Sequence, residues 1–128
     1  MECKTPREQE FISKGLVDQL PQSLFQKNRT QFISMFKKSI GSDLPSGAVA
    51  LFSGATEMPL GSSDCSYPEY QEAFFYYLFG AAEMDCFGAI DFVNEKAVLF
   101  VPRQDEFYKI WMTVLSLDEY KEKYNLVD

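Results

Sequence analysis

The acidic side chains are the main candidates for chemistry in this sequence. Four of them stand where a loop, a turn or a hairpin is expected: Asp64, Glu83, Asp85 and Asp91. A pair of carboxylates can hold a hard cation, or can divide the acid and base roles of a hydrolase. Their spacing is not diagnostic of either chemistry. The turn that contains Glu83 and Asp85 favours solvation and backbone hydrogen bonding, so we assign no metal ligand and no catalytic residue.

Three polar residues are instead assigned structural roles. Asp91 stands among apolar neighbours, so the sequence predicts a hydrogen bond or an ion pair for its carboxylate. Arg103 follows Pro102 at the end of a predicted hairpin, where it could pair with such an acid or bind an anion, and an ordinary surface or salt-bridge role is favoured. Asp64 lies in a long predicted loop and is also assigned a structural role.

Composition excludes several function classes. The chain has no histidine, which removes Ser-His and Cys-His catalysis and histidine-bearing metal sites from what it can do alone. Its three cysteines (Cys3, Cys65 and Cys86) are odd in number and lack CxxC spacing, so neither a disulfide framework nor a thiolate metal site is indicated, and we expect no cofactor. The net charge of −7 argues against a nucleic-acid surface.

Length and hydropathy indicate one soluble domain that spans residues 1–128. The hydrophobic content of 46% is typical of a chain with a real core. No apolar run reaches the ~18 residues that a membrane span needs, and the charged start from Met1 to Glu10 is unlike a signal peptide. We therefore expect a cytoplasmic protein that does not bind membranes.

The core is predicted between Ala73 and Arg103, where the apolar residues are densest. Three strands are expected there: Phe74 to Phe79, which Gly80 ends, then Cys86 to Val93 and Lys96 to Val101 as a hairpin around Asn94-Glu95. An earlier strand is expected from Ala48 to Phe52, followed by a long loop over residues 53–72.

Helices are predicted on both sides of this region. The first has Pro21 as its first helical residue, an apolar stripe that ends near Ile40, and Gly41 after its end. A second helix is expected after Asp105, because Phe107, Ile110, Trp111 and Val114 have helical spacing.

The two ends of the chain are expected to differ. A third helix, from about Leu117 to Tyr124, is predicted behind the Ser116-x-x-Glu119 capping box. Residues 1–15 suggest a polar arm, followed by an apolar patch from Leu16 to Leu20. The order of elements predicts an α/β fold with a mixed sheet flanked by helices.

Several short motifs resemble one family. They are YYLFG, CFGAIDF, AVLFVPR and IWM followed by EYKEKY, preceded by LPQSLFQKNR with its Asn28-Arg29 pair, by AVALFSG and by Ser63-Asp64. Their order and spacing resemble the N-terminal, creatinase-like domain of prolidase and the aminopeptidase P relatives. Where the family has Phe-Arg-Gln, this chain has Glu69-Tyr70-Gln71 and keeps only the glutamine.

The resemblance implies a ribonuclease H-like N-terminal domain without catalytic residues. In the family a following pita-bread domain, which these residues do not include, holds two divalent ions, usually manganese, and hydrolyses Xaa-Pro peptides. The N-terminal domain covers that domain, contributes to a homodimer and shapes substrate access. The alternative is a noncatalytic peptide- or histone-binding module of the same fold, for which an acidic charge suits basic partners.

For Trp111, the helical spacing and the family resemblance predict opposite positions of the indole ring. Helical spacing with Phe107, Ile110 and Val114 would bury the indole in the core. The resemblance implies that it projects toward the partner subunit's active site and contacts the substrate pocket. Because the stripe is complete without it, we predict the projecting ring.

Overall fold

The computed structural model describes residues 20–67 and 70–124. Within these residues, three helices and three strands follow one another in the order α1 (Gln22–Ile40), β1 (Val49–Ser53), α2 (Ala73–Phe79), β2 (Phe87–Asp91), β3 (Lys96–Phe100) and α3 (Leu117–Tyr124). Short 3-10 helices lie at Gly41–Asp43 and Glu106–Ile110. The arm expected at residues 1–15, and the apolar patch before Leu20, lie outside the described residues.

The strands form one antiparallel sheet in the order β1-β2-β3. Ile90 in the central strand is opposite Ala50 on one side and Ala97 on the other. The predicted hairpin is confirmed, but its connection is the four residues 92–95 rather than the two residues Asn94-Glu95, because β2 ends at Asp91. Strand β1 starts one residue later than expected. The α/β class is confirmed too, although the strands in the described part of the chain pair only antiparallel, without the parallel pair of a mixed sheet.

Helix α1 forms where the apolar stripe predicts it. Pro21 stands one residue before the helix, with extended angles (φ −68°, ψ 138°), rather than inside its first turn. Phe25 and Ile33 are buried on the stripe, and Gly41 follows the last helical residue with φ 62°. That positive φ is readily adopted by glycine and lets the chain leave the helix.

The expected strand from Phe74 to Phe79 is wrong, because this segment is helix α2. The Glu72 carboxylate accepts hydrogen bonds from the backbone N–H of Phe74 (3.0 Å) and Phe75 (2.6 Å), as an N-cap does. Gly80 ends the helix with φ 67°, and its N–H donates to the Tyr76 carbonyl. A short apolar run does not distinguish a strand from a buried helix, and here the caps at both ends decide for the helix.

The expected second amphipathic helix is also wrong. Between β3 and α3 the chain forms a short 3-10 helix at Glu106–Ile110 instead, and residues 112–116 are irregular. Side chains that the prediction would bury on one helical stripe are exposed to solvent instead. Phe107 is 60% exposed and Ile110 is 66% exposed. Helix α3, in contrast, begins at Leu117 as the capping box predicts. Ser116 N–H donates to the Glu119 carboxylate (2.7 Å), and Glu119 N–H donates to Ser116 Oγ (3.3 Å).

The core lies between the helices and one face of the sheet. It combines residues of the three described helices with Ile90 and Ala97 of the strands and with the two residues that flank β2, Cys86 and Phe92. The helix residues are Ile33, Phe75, Leu78, Phe79 and Tyr124. Aromatic rings fill much of this layer, and Phe36 stacks on Phe92 with centroids 4.3 Å apart. The result is a two-layer domain with helices on one side of the sheet.

Two glycines allow the closest contacts between layers. A Cβ on Gly88 in β2 would lie 2.2 Å from Cζ of Phe79, and one on Gly80 would lie 2.4 Å from Cε2 of Phe25. The rings of Phe79 and Phe25 therefore occupy the space that a side chain at position 88 or 80 would need. Helix α2 approaches the sheet, and α1 approaches α2, because these positions carry no side chain.

Gly88→Ala should destabilise the fold by about 1–3 kcal/mol, because the fully buried Phe79 ring has little room to move away from an added methyl group. Urea unfolding followed by circular dichroism measures this difference. Gly61→Ala is the control for a glycine with no neighbouring atoms within 4 Å; at φ 61° it suffers backbone strain without a clash. An unchanged unfolding midpoint for Gly88→Ala would contradict the packing described.

Candidate functional site

A group of exposed apolar side chains lies between β3 and α3. We define the Trp111 surface as five side chains that are each at least 44% exposed: Phe107, Tyr108, Ile110, Trp111 and Met112. The indole of Trp111 is 67% exposed and meets Phe107 edge to face, with centroids 5.4 Å apart. Exposed aromatic groups of this kind are typical of contact surfaces.

Local hydrogen bonds shape this surface. The Asp105 carboxylate caps the 3-10 helix by accepting from Phe107 N–H at 2.9 Å. Trp111 ends that helix, and its N–H donates to the Tyr108 carbonyl at 3.1 Å. Three residues per turn, instead of 3.6, change which side chains share a face, so the predicted stripe does not point inward.

The far end of the segment is fixed through α3. Tyr124 is 3% exposed, and its hydroxyl donates to the Glu83 carboxylate in the α2–β2 turn. Lys123 Nζ contacts the same carboxylate at 2.6 Å. Because β3 fixes the near end, both ends of the segment that carries the Trp111 surface are attached to the core.

The charge of Glu83 is stabilised by these contacts. Burial would raise the pKa of its carboxyl, but the hydrogen bonds from Lys123 and Tyr124 outweigh burial and hold the pKa below the ordinary 4.5. The pKa of Tyr124 is raised, by burial first and then by its bond to Glu83. Glu83 is therefore an ionised acceptor at neutral pH.

Asp91 lies at the start of the hairpin turn. Its carboxylate accepts from Val93 N–H (2.8 Å), Asn94 N–H (3.1 Å) and Asn94 Nδ2 (2.7 Å). The side-chain bond from Asn94, followed by the backbone bonds, lowers the pKa of Asp91. This hydrogen bonding is typical of an aspartate that stabilises a turn.

The other predicted polar residues are dispersed. Asp64 is exposed in the loop near the bridge between Pro59 and Ser66. Asp85 is exposed with φ 59°, in the turn after Glu83.

Arg103 is exposed and lines an open groove of about 790 Å³ between the end of β3 and the start of α3. Within residues 20–67 and 70–124, it forms no ion pair with a carboxylate. The structure therefore does not join Asp64, Asp91 and Arg103 into one site.

These acids do not fit a metal ion. Among the described residues, no three Cys, Asp or Glu side chains form a group that could hold one. Glu83 is occupied by Tyr124 and Lys123, and Asp91 by its turn. In the same part of the chain, no helix has the length and apolarity to cross a bilayer.

Sequence reasoning missed the residues that connect helix α2 to its surroundings. Asn28 Nδ2 donates to the Tyr77 carbonyl (2.8 Å), and Arg29 Nη1 donates to the Leu78 carbonyl (2.9 Å), so α1 satisfies the carboxyl end of α2. The Asn-Arg pair was the available signal. Its resemblance to the family's opening helix marked the residues without giving their role.

Gln71 has a similar role at the other end of α2. Its Oε1 accepts from Ala55 N–H (2.6 Å) and Glu72 N–H (2.9 Å), and its Nε2 donates to the Glu83 carbonyl (2.8 Å). One amide thus connects the long loop, the start of α2 and the α2–β2 turn. Gln71 is also the one residue of the family's Phe-Arg-Gln pattern that this chain keeps.

The architecture has counterparts among known proteins. A family model described as the aminopeptidase P N-terminal domain matches residues 25–128. The chain belongs to this family. Xaa-Pro dipeptidase from Mus musculus is 38% identical over 110 residues, and the Homo sapiens protein of that name is 32% identical over the same length. The structure of aminopeptidase P from E. coli in its low-pH form superposes with a TM-score of 0.65 at 25% identity.

Family members in these comparisons are much longer than this chain. The matches cover 85% of the chain but 22% of each mammalian dipeptidase, and 84% of the chain but 23% of the E. coli enzyme. The chain thus spans between a fifth and a quarter of their length. It corresponds to an N-terminal domain of the prolidase and aminopeptidase P family.

Glu83→Gln should lower the free energy of unfolding by about 1–2 kcal/mol at neutral pH, because the charged acceptor of two hydrogen bonds is lost. A depressed folded-state pKa contributes stability above the unfolded-state value that is lost as the pH falls through the folded value. The difference in free energy of unfolding between wild type and variant should therefore decrease below about pH 4.5. Urea denaturation across pH measures it, with Glu122→Gln on exposed α3 surface as control. A pH-independent difference would contradict the assignment.

Trp111 is the sole tryptophan, so intrinsic fluorescence reports on this position alone. An indole that is 67% exposed should emit at long wavelength, and acrylamide should quench it readily. Blue-shifted, quench-resistant emission from monomeric protein would contradict this exposure. The same measurement in denaturant provides the fully exposed reference.

Proposed function

We propose that this chain serves as the noncatalytic N-terminal domain of a metal-dependent Xaa-Pro peptidase of the prolidase type. The family match over residues 25–128 carries the proposal. The similar proteins are named Xaa-Pro dipeptidase and Xaa-Pro aminopeptidase, and one E. coli structure is described as zinc-substituted aminopeptidase P in complex with product. The catalytic groups and the metal ions, which we infer to be two manganese ions, belong to a catalytic domain beyond these residues.

The proposed contribution of this domain is assembly and substrate access. In a homodimer, the Trp111 surface lies against the neighbouring subunit, and Trp111 forms part of the pocket that receives a proline-containing peptide. Its exposure and its attachment at both ends support this role, because a contact residue must be accessible and held in place. The indole offers a rigid apolar surface with one hydrogen-bond donor.

We assign no catalytic role to the remaining polar residues. Asp64, Asp91 and Arg103 act in folding and on the surface. We place the protein in the cytoplasm, in agreement with the free thiols of Cys65 and Cys86. Nucleic acids and membranes are not proposed partners.

A chimera tests the proposal. This chain would replace the matching segment of mouse Xaa-Pro dipeptidase, which is 38% identical to it. The chimera should hydrolyse an Xaa-Pro dipeptide with added manganese, whereas the 128-residue chain alone should not. Hydrolysis by the chain alone would overturn the division of labour. A folded, inactive chimera that binds a basic histone peptide would favour the binding-module alternative.

Trp111→Ala in the active chimera should lower kcat/KM roughly tenfold, because a misplaced pocket wall weakens substrate positioning. Met35→Ala is the control, since Met35 is similarly exposed (64%) but lies on α1. Circular dichroism should show that both variants keep the fold. Unchanged kinetics for Trp111→Ala would refute the pocket role.

A further inference from the structure

The stretch of chain that carries the Trp111 surface has very little contact with the core. We call residues 102–123 the Trp111 segment, and none of these residues is buried. Its partly buried residues are Pro102, Val114, Leu115 and Tyr120. The first buried residue after it is Tyr124, at the end of α3. Trp111 lies near the middle of this segment, far along the chain from either attachment.

Local hydrogen bonds alone do not fix the segment relative to the core. The 3-10 helix Glu106–Ile110 has five residues and buries none of them. Helix α3 has eight residues, of which Tyr124 is the buried one. Short helices are marginal in water unless tertiary packing stabilises them. The position of Trp111 therefore depends on how the two ends of the segment are held.

Glu83 holds the far end through its side chain. Its carboxylate accepts a hydrogen bond from the Tyr124 hydroxyl, and Lys123 Nζ donates to the same carboxylate at 2.6 Å. Lys123 Nζ also lies 5.4 Å from the centroid of the Tyr124 ring. The Glu83 side chain is 23% exposed, so solvent screens these charge-assisted contacts less than those of a fully exposed pair.

The backbone around Glu83 is fixed by contacts that do not involve α3. Gln71 Nε2 donates to the Glu83 carbonyl (2.8 Å), while Gln71 Oε1 accepts from Ala55 N–H (2.6 Å). Asp85 N–H in turn donates to the Ala55 carbonyl (2.8 Å). The α2–β2 turn is thus connected to the residues that follow β1. Glu83 is held in place whether or not α3 is attached to it.

We propose that Glu83 is a positioning residue for Trp111. Its carboxylate holds Tyr124 and Lys123, these hold α3 against the α2–β2 turn, and α3 fixes the far end of the Trp111 segment. The consequence for substrate rests on the proposed function, in which Trp111 forms part of the pocket for a proline-containing peptide. Glu83 contacts no substrate itself and acts by keeping the indole in place.

Time-resolved fluorescence anisotropy of the 128-residue chain tests the attachment. Trp111 is the sole tryptophan, so the anisotropy decay measures the motion of this indole. Glu83→Gln and Tyr124→Phe should each raise the amplitude of its nanosecond motion roughly twofold, because the segment is then held firmly at one end only. Tyr124→Phe keeps the buried ring and removes only the hydroxyl that donates to Glu83.

Two variants of α3 provide matched controls. Glu122→Gln removes a carboxylate from the exposed surface of the helix. Tyr120→Phe removes a hydroxyl from the ring that stacks on Tyr124, with centroids 6.4 Å apart, without removing the bond to Glu83. Both controls should leave the anisotropy decay as in wild type. Circular dichroism without denaturant should show that all four variants are folded.

The chimera with mouse Xaa-Pro dipeptidase tests the consequence for substrate. Glu83→Gln should lower kcat/KM roughly fivefold when Trp111 is present, but by less than about twofold in the Trp111→Ala chimera. A purely structural role of Glu83 would lower kcat/KM by the same factor in both chimeras, because a loss of folded protein does not depend on the indole.

Two results would overturn the proposal. One is an anisotropy decay that neither Glu83→Gln nor Tyr124→Phe changes, and the other is a loss of kcat/KM that is equal with and without the indole. If Glu83→Gln does not fold, Tyr124→Phe decides in both measurements. An inactive chimera with the unsubstituted chain would count against the proposed function instead. The anisotropy measurement would then still decide whether Glu83 positions Trp111, since it needs no catalytic domain.

Discussion

The contact between helix α2 and the central strand is the constraint on which the other packing depends. Phe79 lies where a Cβ of residue 88 would be, so the helix meets the sheet at backbone distance. Phe75, Leu78 and Phe79 are fully buried in this contact. A seven-residue helix is too short to be stable alone, and it forms here because its apolar face is buried and both of its ends are satisfied.

The ends of α2 connect it to the rest of the domain. Glu72 and Gln71 satisfy backbone groups at its start, and Asn28 and Arg29 satisfy carbonyls at its end. Arg29 is 5% exposed, so its aliphatic part also packs in the core while its guanidinium holds the end of α2. Helix α1, the long loop and the α2–β2 turn are therefore all positioned by one short element.

Among the described residues, the helices lie on one side of the sheet, and two apolar surfaces remain exposed. The Trp111 surface is attached through β3 at one end and through the Glu83–Tyr124 hydrogen bond at the other. The other is the sheet face with Leu51, Phe87 and Phe100, on the side away from the described helices. Of the acids, Asp91 is hydrogen-bonded within the hairpin turn, and Glu83 connects α3 to the α2–β2 turn.

The sequence by itself determined the elements whose signals are local. The stripe of α1, the hairpin around Asn94-Glu95 and the capping box of α3 involve residues within a few positions of one another. All three elements form, although Pro21 precedes α1 and the hairpin connection is longer than predicted. The family could also be identified from motif order, although no motif revealed what Asn28, Arg29 or Gln71 contacts.

Only the tertiary structure decided between helix and strand for residues 73–79, because a short aromatic run can be buried in either form. It also decided that residues 106–110 form a 3-10 helix with Phe107 and Ile110 exposed. Helical spacing predicts a buried stripe only where another element lies against it, and the described residues provide none there. The pairing of Glu83 with Tyr124, 41 residues apart, depends on how α3 returns to the α2–β2 turn, which no local pattern encodes.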